Sequence, residues 1–419
     1  MHKRKSTPWA RRRRRLYIVC FVVVLLLSPA VIWRLRLRTE VRQELAAIKA
    51  IGVPMTAEEH AAWRAQFPEL PPNEAYPKAA SALVALPFDG YEKFPSFRTR
   101  HSGEDVFAVP YDPATSAAMR QLVELNGETL RLLREGRTQV KTGRVGGLGR
   151  GGFTKDFMEL CCAQACVAAE AGDGALAAET ILDGLAFLKA YYARPWSTSL
   201  YSRGDEVGQL MRALASAAAR ATLPEDKLRE MQSLLEAPNW EEELRLSTID
   251  FAATMIQDIY EHQPSEPPAR IAIMVFGLLD RHIIYSIRDQ RLRLETMGKP
   301  IAEQRAAFDA FKESGGWRSF NTSGPSMELR VATAGIALIG YYQRMGALPD
   351  SLDGLAREGL ELEDFYTGQK LVYRRDDASV RVYSVGIDLE DHGGDGRSDV
   401  VFQAVLPRGK AATFGLQLE

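Results

Sequence analysis

Cysteine and histidine are scarce in this chain of 419 residues, with four of the first and six of the second. His2, His60, His101, His262, His282 and His392 are scattered, so neither H-x-x-x-H nor H-E-x-x-H occurs and no helix-borne zinc motif is present. The G-x-S-x-G elbow and the Walker lysine are missing too, which removes the usual signatures of an α/β-hydrolase and of a P-loop nucleotide site. Of the cysteines, Cys20 falls in an apolar run. Cys161, Cys162 and Cys166 crowd into one segment, too close in sequence for ordinary disulfide geometry. They belong instead to a stripe, Met158, Cys161, Cys162, Ala165, Cys166 and Ala169, spaced i, i+3, i+4, i+7, i+8 and i+11 as on a buried helix face. No reacting constellation stands out, and the sequence by itself names no reaction.

Negative charge is absent from the first 15 residues, which carry Lys3, Arg4, Lys5 and Arg11 to Arg15. The overall net charge of −1 hides this asymmetry, because the rest of the chain holds 45 basic against 54 acidic groups. A basic tip on an acidic body gives nucleic acid no basic folded face to bind, so no nucleic-acid partner is expected. Directly after Arg15 comes "LYIVCFVVVLLLSPAVIW", residues 16–33, eighteen positions without a charge. That is close to the roughly 20 residues with which a helix crosses a bilayer. The expectation is a transmembrane helix over 16–33, in contact with the lipid bilayer, with the basic tip of residues 1–15 held in the cytoplasm. A cleavable signal peptide is the alternative, with Ser28, Pro29 and Ala30 near the right place. Both readings put the chain beyond about residue 34 outside the cytoplasm. The expected location is therefore the inner (cytoplasmic) membrane, single-pass, with a periplasmic or otherwise extracytoplasmic body.

Beyond the span the pattern is mainly α. Residues 34–135 read as a helical stalk and an irregular segment, with Thr56 and Glu59 spaced as a capping box and one helix running from about Ser116 to Glu135. Residues 153–325 read as an α-helical body, a bundle or short solenoid of amphipathic helices. One face carries Val207, Leu210, Met211, Leu214 and Ala218, and another carries Trp240, Leu244, Thr248, Phe251, Met255 and Ile259. In "AEAGDGALAAE", Gly172 is placed to end one helix and Asp173 to start the next. "GGLGRGGF" spaces Gly147, Gly149 and Gly152 like a phosphate loop, but no strand precedes it and no βαβ unit follows, so it reads as a loop. Residues 326–419 open with a helix to about Met345. They continue as short β-rich runs, "KLVYRR", "SVRVYSVG" and "SDVVFQAVL", a small antiparallel meander in an α+β whole.

Between the last two runs lies "GIDLEDHGGDGRSD", dense in carboxylates and glycines. Asp391, Asp395, Gly396 and Asp399 fall at positions 1, 5, 6 and 9 of a D-x-[DN]-x-D-G-x-x-D calcium loop, with Gly393 where a third side-chain ligand belongs and Asp388 available nearby. A hard cation such as Ca²⁺ collects six to eight oxygens, and glycines let a short loop turn carboxylates and carbonyls inward together. A structural Ca²⁺ held by Asp388, Asp391, Asp395 and Asp399 is one reading of the loop, and a solvated charged turn is the other.

The tail as a whole, "YYQRMGALPDSLDGL" followed by "YTGQKLVYRR" and "VYSVGIDLEDHGGDGRSDVVF", resembles the C-terminal region of the type II secretion major pseudopilin. In that family a helix ending in a Gly-x-x-Pro turn leads into a β-sheet and a calcium loop. Matching positions include Tyr342, Gly346, Pro349, Ser351, Leu355, Thr367, Gly368, Tyr373, Tyr383, Gly386, Asp388 and Asp399. Where the family has proline after the aspartate of its turn, this chain has Phe365 after Asp364. The basic tip and span, "GVPMTAEE" and "PPNEAYPKAASAL" resemble pieces of bacterial membrane-anchored helical proteins that bear such a tail. Helical layers supply broad surfaces and no reacting groups stand out, so the expectation is a membrane-anchored scaffold or protein-interaction protein without an enzymatic role, its β module stabilised by a cation. Its partners would be envelope proteins, pseudopilins among them. The alternatives are an accessory component of a secretion or pilus-like assembly, and an envelope hydrolase with an unrecognised site.

Overall fold

The computed structural model describes residues 35–67, 73–84, 113–139, 152–191, 200–235, 240–261, 278–297, 301–313, 324–355, 362–364, 366–376, 379–386, 389–395, 399–405 and 413–417, with the single positions 17, 28, 32, 33, 299 and 360. Most of the expected span at 16–33 thus lies outside the described residues, as does Asp388. Among the described residues no helix is long and apolar enough to cross a membrane. They form thirteen α-helices and one four-stranded antiparallel sheet of order β1-β2-β3-β4. The chain divides into two compact units, the first made of Met1–Phe67, Thr248–Met297 and Ala307–Ser319, the second of Pro68–Ser247, Gly298–Ala306 and Phe320–Glu419.

The first unit holds helix α1 (35–50) and helix α2 (Ala57–Arg64). Its core joins Ile48 and Val53 to Ile249, Ala252, Ala253, Ile256, Ile283 and Ile287. The capping box forms as spaced, with the Glu59 N–H donating to Thr56 Oγ1 at 3.1 Å. The Glu59 carboxylate reaches back to the Met55 N–H at 2.7 Å. On the helix Trp240–Glu261 the buried stripe differs from the expected one. Thr248 is buried as expected, but Phe251 and Met255 are half-buried while Ile249, Ala252, Ala253 and Ile256 are buried. The rotation follows from Asp250, which is itself buried and bonded to His60 and Arg64 of α2. A carboxylate out of water has to face its partners, and that fixes the helix face.

The second unit contains α3 (Ala75–Ala82), α4 (Pro113–Leu125), α5 (Gly127–Gln139), α6 (Gly152–Glu170), α7 (Gly174–Tyr191), α8 (Leu200–Ala218) and α9 (Glu225–Leu235). The single helix expected from Ser116 to Glu135 is two, broken at Asn126. That buried side chain accepts from the Val84 N–H at 2.8 Å and donates to the Val84 carbonyl at 2.9 Å, so its amide holds the loop after α3. Between α6 and α7 the turn is the expected one. Gly172 takes φ +78°, the Asp173 N–H bonds Ala168 O at 2.9 Å, and the Gly172 N–H bonds Ala169 O at 3.0 Å, a Schellman closure. Asp173 then caps α7 through the Leu176 N–H at 2.9 Å. The stripe from Met158 to Ala169 is buried throughout, and burial pushes the Cys161 and Cys162 thiols well above the ordinary range, which keeps them unreactive packing groups.

After α10 (Trp240–Glu261), α11 (Leu278–Thr296) and α12 (Ile301–Glu313), helix α13 (Gly324–Met345) leads to the sheet β1 (Val372–Arg375), β2 (Ser379–Ser384), β3 (Val400–Val405) and β4 (Thr413–Gln417). Three of these strands match the expected β-rich runs, and β4 adds a fourth. Helix α13 packs on β2 and β3 and also on α8 and α9, while β4 packs on α8. The sheet therefore shares one continuous apolar core with the helices. Gly335 makes the close approach possible: a Cβ there would fall 2.3 Å from the ring of Phe402, which lies flat against the helix backbone.

Candidate functional site

The end of α13 sets the geometry of the C-terminal region. Gly346, at φ +65°, closes the helix with its N–H on Tyr342 O at 2.8 Å, and the chain turns through Leu348 and Pro349. Strand β1 grips this turn: the Tyr373 hydroxyl donates to Pro349 O, and Arg375 donates to Leu348 O at 3.1 Å and pairs with Asp350. Burial raises the Tyr373 hydroxyl to about 12, so it stays a donor. A second clamp is Asp364, wholly buried, which accepts from the Tyr366 N–H at 2.8 Å and from the Val385 N–H at 3.1 Å. Its carboxylate ties the turn to the end of β2, with both its oxygens satisfied by backbone N–H groups.

The acidic loop runs from β2 to β3. Asp391 is committed on both oxygens: Oδ1 accepts from the Tyr383 hydroxyl at 2.9 Å and the Gly393 N–H at 2.8 Å, and Oδ2 accepts from Arg374 Nη2 at 2.7 Å. Partial burial works against its ionisation, but the Gly393 N–H, Tyr383 and Arg374 outweigh it and hold the carboxyl below the ordinary range. Asp395 is exposed, and its carbonyl accepts the Asp399 N–H at 2.9 Å. Asp399 is wholly buried; Oδ2 accepts the Gly394 N–H at 2.7 Å, and Oδ1 has no hydrogen-bond partner among the described residues. His392 Nδ1 lies 3.8 Å from Oδ1. Burial raises Asp399 above the usual carboxylate range, against the pull of the Gly394 N–H.

These facts test the fit of a cation. Asp399 Oδ1, buried and unbonded, suits one. Asp391 suits one less well, since both its oxygens already accept hydrogen bonds and the Arg374 guanidinium stands at Oδ2 where a cation would approach. Asp388 lies outside the described residues, and among the described residues no three His, Cys, Asp or Glu side chains converge as a metal set. Sequence reasoning missed the basic groups that reach into the loop, Arg374 and Arg381. The signal was their place as charged residues on short strands two and nine positions from Tyr383, and only the strand register brings them together.

Two buried polar centres lie away from this loop. In the first unit, Gln257 Nε2 donates to His60 Nδ1 at 3.1 Å, which leaves His60 Nε2 to donate to Asp250 Oδ1 at 2.7 Å. Arg64 shares the same carboxylate oxygen at 2.7 Å. In the second, Asp183 of α7 meets Arg134 Nε at 3.1 Å and Arg137 Nε at 2.9 Å, both from α5. Arg137 also pairs with Glu179, which Lys227 of α9 approaches at 2.6 Å. These centres join helices within each unit and present no exposed reacting group.

What these observations define is a mainly helical chain whose last sheet is packed on a helix and closed by a salt-bridged acidic loop. Comparison with protein-family models, with curated proteins and with solved structures finds no match to it.

Proposed function

We propose that the protein is a single-pass membrane-anchored scaffold or protein-interaction protein, its N-terminus cytoplasmic and the chain beyond about residue 34 extracytoplasmic. The observation that carries this is the uncharged run at 16–33 behind eight basic residues. Its described positions support it: Tyr17, Ile32 and Trp33, followed by Leu35 at the start of α1, are large apolar side chains that stay exposed. Exposed apolar groups gathered on one segment need a cover, and lipid is the one that a run of this length fits. Arg36, Arg38 and Arg42 follow on α1, exposed, where headgroup phosphates would meet them.

A topology reporter tests the reading. Alkaline phosphatase fused after Glu419 is expected to be active in a bacterial host, and the full chain to sediment with membranes until residues 16–33 are deleted. An inactive fusion, or a soluble full-length protein, would sink it.

A second reading is an accessory role in a secretion or pilus-like assembly. It draws support from the order helix, Gly346 to Pro349 turn, antiparallel sheet, and from the grip of Tyr373 and Arg375 on that turn. A photo-crosslinking residue placed at exposed Lys370 is expected, on this reading, to capture a pseudopilin in cells that make one. Crosslinks only to unrelated envelope proteins would return the chain to a general scaffold.

A further inference from the structure

Two oxygens that a cation could collect in the acidic loop, Asp391 Oδ2 and the Gly393 carbonyl, are already engaged by guanidinium groups of the chain itself, whereas Asp399 Oδ1 is not. Arg374 of β1 and Arg381 of β2 are partners across the antiparallel ladder, so their side chains rise side by side from one face of the sheet. Tyr383, two residues beyond Arg381, shares that face. Arg374 places Nη2 2.7 Å from Asp391 Oδ2 and lays its guanidinium 5.7 Å from the centre of the Tyr383 ring. Arg381 donates from Nη1 to the Gly393 carbonyl at 3.0 Å. One carboxylate oxygen and one loop carbonyl, the two oxygen types of a calcium loop, are thus each met by a guanidinium.

The glycines show that this contact is built. Gly393 and Gly394 stand at φ +80° and +76°, and a Cβ on Gly393 would meet Arg374 Nη1 at 3.1 Å. One on Gly394 would meet Arg381 Cδ at 3.1 Å and the Tyr383 ring at 3.2 Å. The loop backbone is pressed onto the two arginines and the tyrosine, and side chains at these positions would lift it off.

We propose that arginine does the work of the metal here: Arg374 and Arg381 are the internal cations of the acidic loop, and the loop closes without a divalent ion. The resemblance to a calcium-loop family then marks a shared sequence pattern with a different occupant. A calcium ion taking Asp391 would first have to displace Arg374.

Hydrogen exchange on the full-length protein in detergent tests this, read on the segment 389–400 in EDTA and again in millimolar CaCl₂. Equal protection of the wild-type loop in both is the expected result. Arg374→Gln is expected to speed exchange of this segment about tenfold, the loss of one charge-assisted hydrogen bond, while exchange in α6 and α7 is unchanged. Arg374→Lys keeps the charge without the fork and is expected to fall between. Protection that disappears in EDTA and returns with CaCl₂ would overturn the proposal and make calcium the occupant. So would an Arg374→Gln loop as protected as the wild type in EDTA. Because the EDTA and CaCl₂ arms are read on the wild type, the result does not depend on any variant folding.

Discussion

Phe402→Ala is expected to remove about 3–5 kcal/mol from the stability of the second unit, the usual cost of emptying a well-packed aromatic site. Phe402 is only 1% exposed, lies between Val382 and Leu416 on the neighbouring strands, and packs flat on the backbone of α13 at Gly335. The complementary change, Gly335→Ala, drives a methyl to 2.3 Å from the ring and is expected to cost about 1–3 kcal/mol by overpacking. Together the two should not add. With the ring gone the methyl occupies part of the cavity, and alanine in a helix interior is better than glycine by about 1 kcal/mol. Chemical denaturation of both single variants and the double variant closes the cycle. The expected coupling is above about 1 kcal/mol, with the double variant more stable than Phe402→Ala alone. Strict additivity would mean that Phe402 and Gly335 do not meet and that α13 is not seated on the sheet as described.

The same contact marks what was legible in the sequence. The α13 helix and three of the four strands follow from periodicity, since each is a local pattern that its own residues write. The α6 to α7 hairpin was equally readable, because a small-residue stripe and a Gly172–Asp173 pair encode both the buried face and the turn. Strand β4 was not, because Gly415 interrupts a five-residue run that pairing with β3 stabilises from outside. The break at Asn126 was hidden for a similar reason: its partner Val84 is 42 residues away, and a helix period shows no sign of it. In the chain as folded, the boundary expected near residue 325 is also crossed by packing, since α13 and β4 both lie on α8.

At the acidic loop, the carboxylates could be counted but their partners could not. Asp391, Asp395 and Asp399 are separated by spacings that suit a calcium loop, and spacing does not reveal that Arg374 sits opposite Arg381. Asp364 was visible as the aspartate of a familiar turn, though its burial and its hold on the Val385 N–H are tertiary facts. Asp183 carried a clearer hint, a charge inside "TILDGLAFL", where the surrounding helix is buried on nearly every side. A charge there has to find partners, and the sequence offers no way to tell which of many arginines they are.

Asp183 carries the other large effect. Arg134 and Arg137 of α5 face it, Glu179 stands one turn before it on α7, Lys227 and Glu230 come from α9, the buried Tyr76 hydroxyl from α3, and Cys161 from α6. Burial pushes the Asp183 carboxyl up to about 6 even against the two arginines. An acid whose folded value is raised is still protonated in the native chain at pH values where the unfolded chain has lost the proton. Its ionisation therefore costs stability as pH rises from the ordinary aspartate range, near 4, to about 6, on the order of 3 kcal/mol in all. Above about 6 both states are ionised and the cost is constant. In Asp183→Asn this dependence is gone. Denaturation at pH 4, 5, 6 and 7 is expected to show the wild type gaining on the variant as pH falls, by as much as about 3 kcal/mol, with the change concentrated between pH 4 and 6. A gap that stays level, or that narrows in acid, would mean that Arg134 and Arg137 override burial and that the carboxylate enters the core already ionised. The first outcome makes the joint between α5 and α7 tighter in mild acid, and a level gap makes it a fixed salt bridge whose loss would cost the same at every pH tested.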